Sequence, residues 1–137
     1  MTFLDTNILV YAVDKADGRK HDLALDILST ALAKPDHWRI SAQVLSEFST
    51  VFIRKRIADV RGLLAFLDTL SAIPCEPVTP NIVRRAVEIQ ALHGIQFYDA
   101  EILAAAEESR CRKVLSEDLS SSQDYGGISV CNPFSDN

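Results

Sequence analysis

Phe3-Leu4-Asp5-Thr6-Asn7-Ile8-Leu9-Val10-Tyr11 opens the chain with an apolar pair, an acid, two polar residues and a second apolar run. Phe3-Leu4 reads as a short strand that stops at Asp5. Ile8 to Val13 reads as the start of a helix, with Asp5, Thr6 or Asn7 able to cap it. A strand that passes directly into a helix is the first half of a strand-helix-strand unit. The rest of the sequence either repeats that alternation or breaks it.

It repeats it. Asp17-Gly18 marks a loop. His21 to Ala33 is an amphipathic helix with Leu23, Ala24, Ile27, Leu28 and Leu32 inward, and Pro35-Asp36 breaks the chain. Arg39-Ile40-Ser41 is a short strand, and Gln43 to Ile57 and Val60 to Leu70 are helices. The latter turns Leu63, Leu64 and Leu67 inward. Ile73 to Val78 is a strand interrupted by prolines, which places it near an edge. Pro80 to His93 is a helix that ends at Gly94, Tyr98 to Ser109 is a helix rich in alanine, and Lys113 to Ser116 is a strand. Gly126-Gly127 turns into a last strand, Ile128 to Cys131. Alternating strands and helices predict an α/β three-layer sandwich, with a mostly parallel sheet between helices. Ligands of such sheets bind beyond the carboxyl ends of the strands, where Asp5 and Asp118 are expected.

Composition bounds the rest. The 137 residues suffice for one domain, 1–137, with a core that needs no disulfide or structural metal. No apolar run approaches the roughly 20 residues of a bilayer-spanning helix, and the N-terminus does not read as a signal peptide, so a cytoplasmic protein is expected. Cys75, Cys111 and Cys131 are odd in number and far apart, and read as free core thiols. His21, His37 and His93 show no ligand spacing and read as surface or loop residues. The net charge of −5 argues against a generally basic nucleic-acid surface, although Arg54-Lys55-Arg56, Arg61 and Arg84-Arg85 cluster. Each cluster fits a solvated helix face or a phosphate contact. Leu63, Leu64, Phe66 and Leu67 fit core packing or an interface.

Four acids stand where chemistry could gather. Asp5 is an N-cap, a cation ligand, or both, since a carboxylate has several acceptor sites. Glu47 lies at the edge of the apolar arc Val44, Leu45, Phe48, Val51 and Phe52, with Gln43, Thr50 and Arg54 aligned along the helix. It is a boundary glutamate or a metal ligand. Asp99 shares a helix face with Ile102, Leu103 and Ala106, so it is either a cap or an acid whose burial needs compensation. Glu101 and Glu108 fall on the opposite face, towards solvent. Asp118 follows the strand through Val114-Leu115 and is a turn residue or a pocket acid. Alternation along extended chain lets only one of Glu117 and Asp118 join the pocket.

Five motifs in order carry a resemblance that spans nearly the whole chain. Asp5-Thr6-Asn7-Ile8-Leu9-Val10-Tyr11 resembles the opening motif of PIN domains, Ser46-Glu47-Phe48 their second, and Phe97-Tyr98-Asp99 through Ala106 their third. Leu115-Ser116-Glu117-Asp118-Leu119 resembles the fourth. The ending, Gly126-Gly127-Ile128 through Asn132-Pro133-Phe134, is similar to that of the bacterial VapC toxins of that family. Ser120-Ser121-Ser122 departs from the polar stretch with His or Gly that often follows the fourth acid.

The resemblance implies a PIN fold and an Mg²⁺- or Mn²⁺-dependent endoribonuclease, the toxin of a toxin–antitoxin pair. It implies Asp5, Glu47, Asp99 and Asp118 as the catalytic and metal-holding acids, supported by Thr6, Asn7 and Ser116, the last orienting a carboxylate or water. Arg54 is expected at the RNA. An RNA substrate, a cognate antitoxin that puts a basic side chain into the acidic groove, and a homodimer are implied partners, with no membrane. Phosphodiester hydrolysis needs an activated water and relief of developing negative charge, and a carboxylate-held divalent ion supplies both. The rival enzyme readings fit less well. A haloacid-dehalogenase-like phosphatase wants Asp-x-Asp but finds Asn7, and a receiver domain wants a lysine after a late strand, where Lys113 precedes it. The non-enzyme rival is a PIN-like RNA- or protein-binding module that has lost catalysis.

Overall fold

A computed structural model describes residues 1–120 and 123–135; Ser121 and Ser122 of the serine run lie outside the described residues. The elements in chain order are β1 (Thr2–Leu4), α1 (Thr6–Val13), α2 (Gly18–Ala33), β2 (Trp38–Ser41), α3 (Ala42–Arg54), α4 (Val60–Leu70), β3 (Cys75–Glu76), α5 (Pro80–His93), α6 (Phe97–Glu108), β4 (Lys113–Leu115), β5 (Asp124–Tyr125) and β6 (Ile128–Cys131). The sheet runs β3-β2-β1-β4-β6-β5. Every neighbouring pair is parallel except β5 with β6.

The strands are short and nearly continuous in apolar residues, as a sheet covered on both faces requires. Phe3 and Leu4 of β1, Ile40 of β2 and Val114 of β4 are completely buried. Helices flank the sheet: α1 packs on α2 and α3, α3 on α4, and α5 on α6. In α3 the buried Val44, Phe48 and Phe52 recur every four residues along one face. In α6 both sides are covered, and a run from Ala100 to Ala106 is buried throughout. The small alanines let α5 and the sheet approach it closely. The three-layer expectation is met.

Local chemistry sets the boundaries. Asp59 and Thr79 cap α4 and α5 through side-chain acceptors, and Gly94 ends α5 at φ 65°, a left-handed conformation that glycine adopts without cost. Asp17 accepts from the Lys20 amide and starts α2 at Gly18, so this expected loop belongs to the helix end. α3 stops at Arg54, short of Ile57, because Arg56 takes a left-handed φ of 52°. The expected strand over 73–78 shrinks to Cys75–Glu76 between Pro74 and Pro77, at the sheet edge. The two-residue β5 at the opposite edge has no apolar pattern of its own and was not expected.

Two packing expectations are corrected. Leu64 points to solvent at 55% exposure, because only Leu63 and Leu70 of α4 reach the core fully. Cys75 is exposed on the edge strand, whereas Cys111 is buried; all three thiols are free. Among the described residues no helix is long and apolar enough to cross a membrane.

One feature of the topology positions the site. The chain leaves β1 in the β2 direction, then returns to place β4 on the other side of β1. This reversal opens a crevice at the carboxyl ends of β1 and β4. The Asp5 amide donates to the Leu115 carbonyl at 3.0 Å, so both strands end side by side.

Candidate functional site

Asp5 is the first residue past β1 and the N-cap of α1, with only 3% of its surface exposed. One carboxylate oxygen accepts from the Thr6 amide at 2.7 Å and the other from the Ser116 hydroxyl at 2.7 Å. The capping and site readings of Asp5 are thus compatible. Burial pushes its pKa up to about 6, against the two hydrogen bonds; the negative charges of Asp118 and Glu47 push the same way.

Ser116 is completely buried just past β4. Its hydroxyl donates to Asp5 and accepts from the Asp118 amide at 3.1 Å and the Leu119 amide at 3.4 Å. Asn7, on the first turn of α1, bridges the same loop. Its Oδ1 accepts from the Glu117 amide at 3.1 Å, and its Nδ2 donates to Asp118 Oδ2 at 3.2 Å. Thr6 reaches the other way and donates from Oγ1 to Glu47 Oε2 at 2.8 Å. The Asp5-Thr6-Asn7 run therefore touches Glu47, Ser116 and Asp118 with three consecutive side chains.

Glu47 projects from α3 beside Gln43, one turn earlier. Gln43 Nε2 donates to Glu47 Oε1 at 2.7 Å and to the Tyr98 carbonyl at 2.9 Å, tying α3 to the start of α6. Gln43 Oε1 is buried with no hydrogen-bond partner among the described residues. Asp99 is half-buried in the first turn of α6, but it is not the cap. Gln96 caps the helix by accepting from the Asp99 amide at 3.2 Å. The Asp99 carboxyl pKa is raised by burial first, then by Asp118 and Glu47.

Asp118 and Glu47 thus lie within electrostatic reach of both Asp5 and Asp99 at one edge of the sheet. Glu47 and Asp118 line a cleft of about 520 Å³ together with Thr6, Asn7, Val10, Tyr11, Ser46, Thr50, Val51, Arg54, Lys55 and Glu117. Asp5 and Asp99 are not among the residues that line it. Arg54 sits exposed on the cleft wall in the last turn of α3. Of its basic neighbours, Lys55 is paired with Asp14 at 2.9 Å. In the distant cluster Arg85 is paired with Glu107 at 2.8 Å, and neither Arg84 nor Arg85 lines the cleft.

Two expectations about acids fail here. Glu101 does not face solvent; it is buried to 6% exposure, because α6 is covered all round and has no solvent face at that turn. Its pKa is raised by burial and by Glu47. Glu117 and Asp118 both line the cleft, because the chain turns after β4 and strict alternation ends there. Glu117 is ion-paired with Lys20 of α2. Neither Lys20 nor the bridging role of Gln43 was singled out from sequence; for Gln43, its place one turn before Glu47 was the available signal. None of the three histidines takes part. His21 bonds through Nδ1 to the Tyr11 carbonyl at 2.8 Å, and His93 packs edge-on against Tyr125.

Every acid side chain here offers oxygen, the donor type that Mg²⁺ and Mn²⁺ prefer, and buried like charges favour a cation between them. Among the described residues no three His, Cys, Asp or Glu side chains are already arranged to hold one ion directly. The chemistry of the donor set fits Mg²⁺ or Mn²⁺, hard ions that take oxygen ligands and retain water.

Comparison with solved structures gives the fold independent company. The VapC20 toxin of Mycobacterium tuberculosis, described as cleaving the sarcin-ricin loop, superposes with a TM-score of 0.69 at 22% identity, covering 86% of this chain and 92% of that one. A toxin–antitoxin complex from Klebsiella pneumoniae gives 0.70 at 21% identity, covering 98% of both chains. VapBC2 of Rickettsia felis, bound to a DNA fragment from its promoter, gives 0.66 at 18%, covering 94% of this chain and 96% of that one. At these identities the likeness is one of fold. A comparison with curated protein sequences gives no significant match. The PIN domain model matches residues 2–122, from β1 through the fourth acidic motif. With the crevice at β1 and β4 and the acids around it, that match shows that the chain belongs to the PIN domain family.

Proposed function

We propose that this protein is a divalent-metal-dependent endoribonuclease, the toxin of a toxin–antitoxin pair. The observation that carries the reading is the convergence of Asp5, Glu47, Asp99 and Asp118 at the carboxyl ends of β1 and β4. There burial and mutual repulsion raise the pKa of Asp5 to about 6. Keeping such a cluster in a fold costs stability unless a cation offsets it.

In this reading Asp5 and Asp99 would be the principal ligands of Mg²⁺ or Mn²⁺, Glu47 would hold the ion or position the attacking water, and Asp118 would complete the shell or a second metal position. The bound ion supplies a water of lowered pKa and polarises the phosphoryl oxygen. The protein's own groups do the rest. Ser116 and the Thr6 amide fix both oxygens of Asp5. Thr6 and Gln43 fix both oxygens of Glu47, and Asn7 orients Asp118. Arg54, on the cleft wall, takes a phosphate of the RNA. The fold shared with a toxin–antitoxin complex and with VapBC2 supports an antitoxin partner; in this reading the antitoxin covers the acidic cleft with a basic side chain and the toxin is a homodimer.

The test is RNA cleavage with Mg²⁺ or Mn²⁺ by the wild type and by folded Asp5→Asn and Asp99→Asn variants. Cleavage by the wild type and its loss in both variants is expected; full activity in both would remove the mechanism. Metal titration separates the catalytically inactive module, which need not bind the ion.

A further inference from the structure

We propose that Lys20 is a positioning residue for Asp118, acting through Glu117; the inference rests on the nuclease reading above. Glu117 adds a negative charge next to Asp118, and both line the same cleft. Left alone, that charge would repel the carboxylate of Asp118. Lys20 of α2 meets it: Nζ is ion-paired with Glu117 Oε1 and lies 3.3 Å from the Tyr11 hydroxyl. The Lys20 side chain is itself confined. Its ammonium lies 5.0 Å from the centre of the Tyr11 ring and 5.9 Å from that of Phe134. Those two rings pack edge to face at 5.0 Å, and Arg19 Nη1 donates to the Phe134 carbonyl at 2.9 Å.

The connection from Lys20 to the acids is continuous. The Glu117 amide donates to Asn7 Oδ1, and Asn7 Nδ2 donates to Asp118 Oδ2. The Asp118 amide donates to Ser116, which donates to Asp5. Lys20 thus draws the Glu117 carboxylate towards α2 while Asn7 and Ser116 hold the backbone on either side. The side chains of Lys20 and Glu117 are each 25% exposed, so the pair adds little to folding stability. Its effect lies in where it holds Asp118. Partners that orient metal ligands from outside the shell commonly change metal affinity by about 10- to 100-fold.

The experiment is a Mn²⁺ titration of the full chain, followed by electron paramagnetic resonance, with melting in EDTA as the control. Lys20→Met is expected to weaken Mn²⁺ binding about tenfold, with the melting temperature of the metal-free protein nearly unchanged. Lys20→Arg is expected to retain affinity. Lys20→Met combined with Glu117→Gln is expected to recover most of it, because a neutral pair no longer repels Asp118. Wild-type or tighter affinity in Lys20→Met would overturn the proposal, since loss of a nearby positive charge alone would strengthen cation binding. So would a double variant as weak as the single one, or a Lys20→Met protein that fails to fold while the double variant folds and binds poorly. If the wild type itself binds no Mn²⁺, the nuclease reading fails first and this inference with it.

Discussion

Ser116 and Asp5 are joined by a 2.7 Å hydrogen bond between residues 111 positions apart in sequence. That one hydroxyl also receives the amides of Asp118 and Leu119, so it fixes an acid on each side of the β1/β4 crevice. Ser116→Ala removes a donor from a buried carboxylate and leaves two amides without their acceptor. The expected loss is about 1–3 kcal/mol of stability, read by urea denaturation, with cleavage reduced by about 10- to 100-fold. An alanine variant with wild-type stability and rate would show that the Ser116 bonds do not organise the site.

Asp5 makes a pH-dependent contribution whose sign can be worked out. Its carboxyl titrates at about 6 in the folded protein, above the ordinary 3.8, chiefly because it is buried. The folded state therefore holds this proton more tightly than the unfolded chain. The resulting stabilisation is present in full below pH 3.8 and is lost as pH rises through about 6. Asp5→Asn should stabilise the metal-free protein at neutral pH by on the order of 2 kcal/mol, and flatten its stability profile across that window. Denaturation curves in EDTA from acid to neutral pH measure both; parallel profiles for the two proteins would contradict it.

Gln43 joins two helices through one amide nitrogen, yet its oxygen is buried with no hydrogen-bond partner among the described residues. Gln43→Leu trades two hydrogen bonds for relief of that orphan. The net change in stability is expected to stay within about 1 kcal/mol. Glu47 loses one of its two orienting donors and keeps Thr6, so the cleavage rate should fall about tenfold. Paired melting and rate measurements decide the point, and an unchanged rate would deny Gln43 any role in placing Glu47.

Glu101 is almost wholly buried, and burial and the neighbouring charge of Glu47 both disfavour its ionised carboxyl. Glu101→Leu, which restores an apolar residue to a covered helix, should stabilise the protein by about 1–3 kcal/mol. Thermal melting checks it. A destabilised leucine variant would mean that the carboxyl has a partner in solution.

Arg54 is exposed on the cleft wall. Arg54→Gln should leave the melting temperature alone, weaken RNA binding evenly across sequences, and lower the salt dependence by about one charge. Binding of a non-cleaved RNA at several salt concentrations tests this. An unchanged slope would place the phosphate contact elsewhere.

The sequence by itself determined the layout. Apolar segments too short to bury alone, separated by capped amphipathic helices, admit few arrangements other than a parallel sheet between helices. The acids at the ends of β1 and β4 follow from that, since residues just past parallel strands share one edge. Only the tertiary structure decided which groups meet. Helix phase gives the direction of the Glu101 side chain but not whether another element lies there. α6 is covered on every side from Ala100 to Ala106, so Glu101 has no solvent to face, whereas Glu108 beyond that stretch is exposed as expected. The alternation that lets only one of Glu117 and Asp118 join the pocket holds only while the chain stays extended, and the chain turns after β4. Lys20 and Gln43 carry no motif. Their contacts come from helices α2 and α3 packing beside the crevice, and side-chain reach across helices is fixed by packing rather than by spacing along the chain.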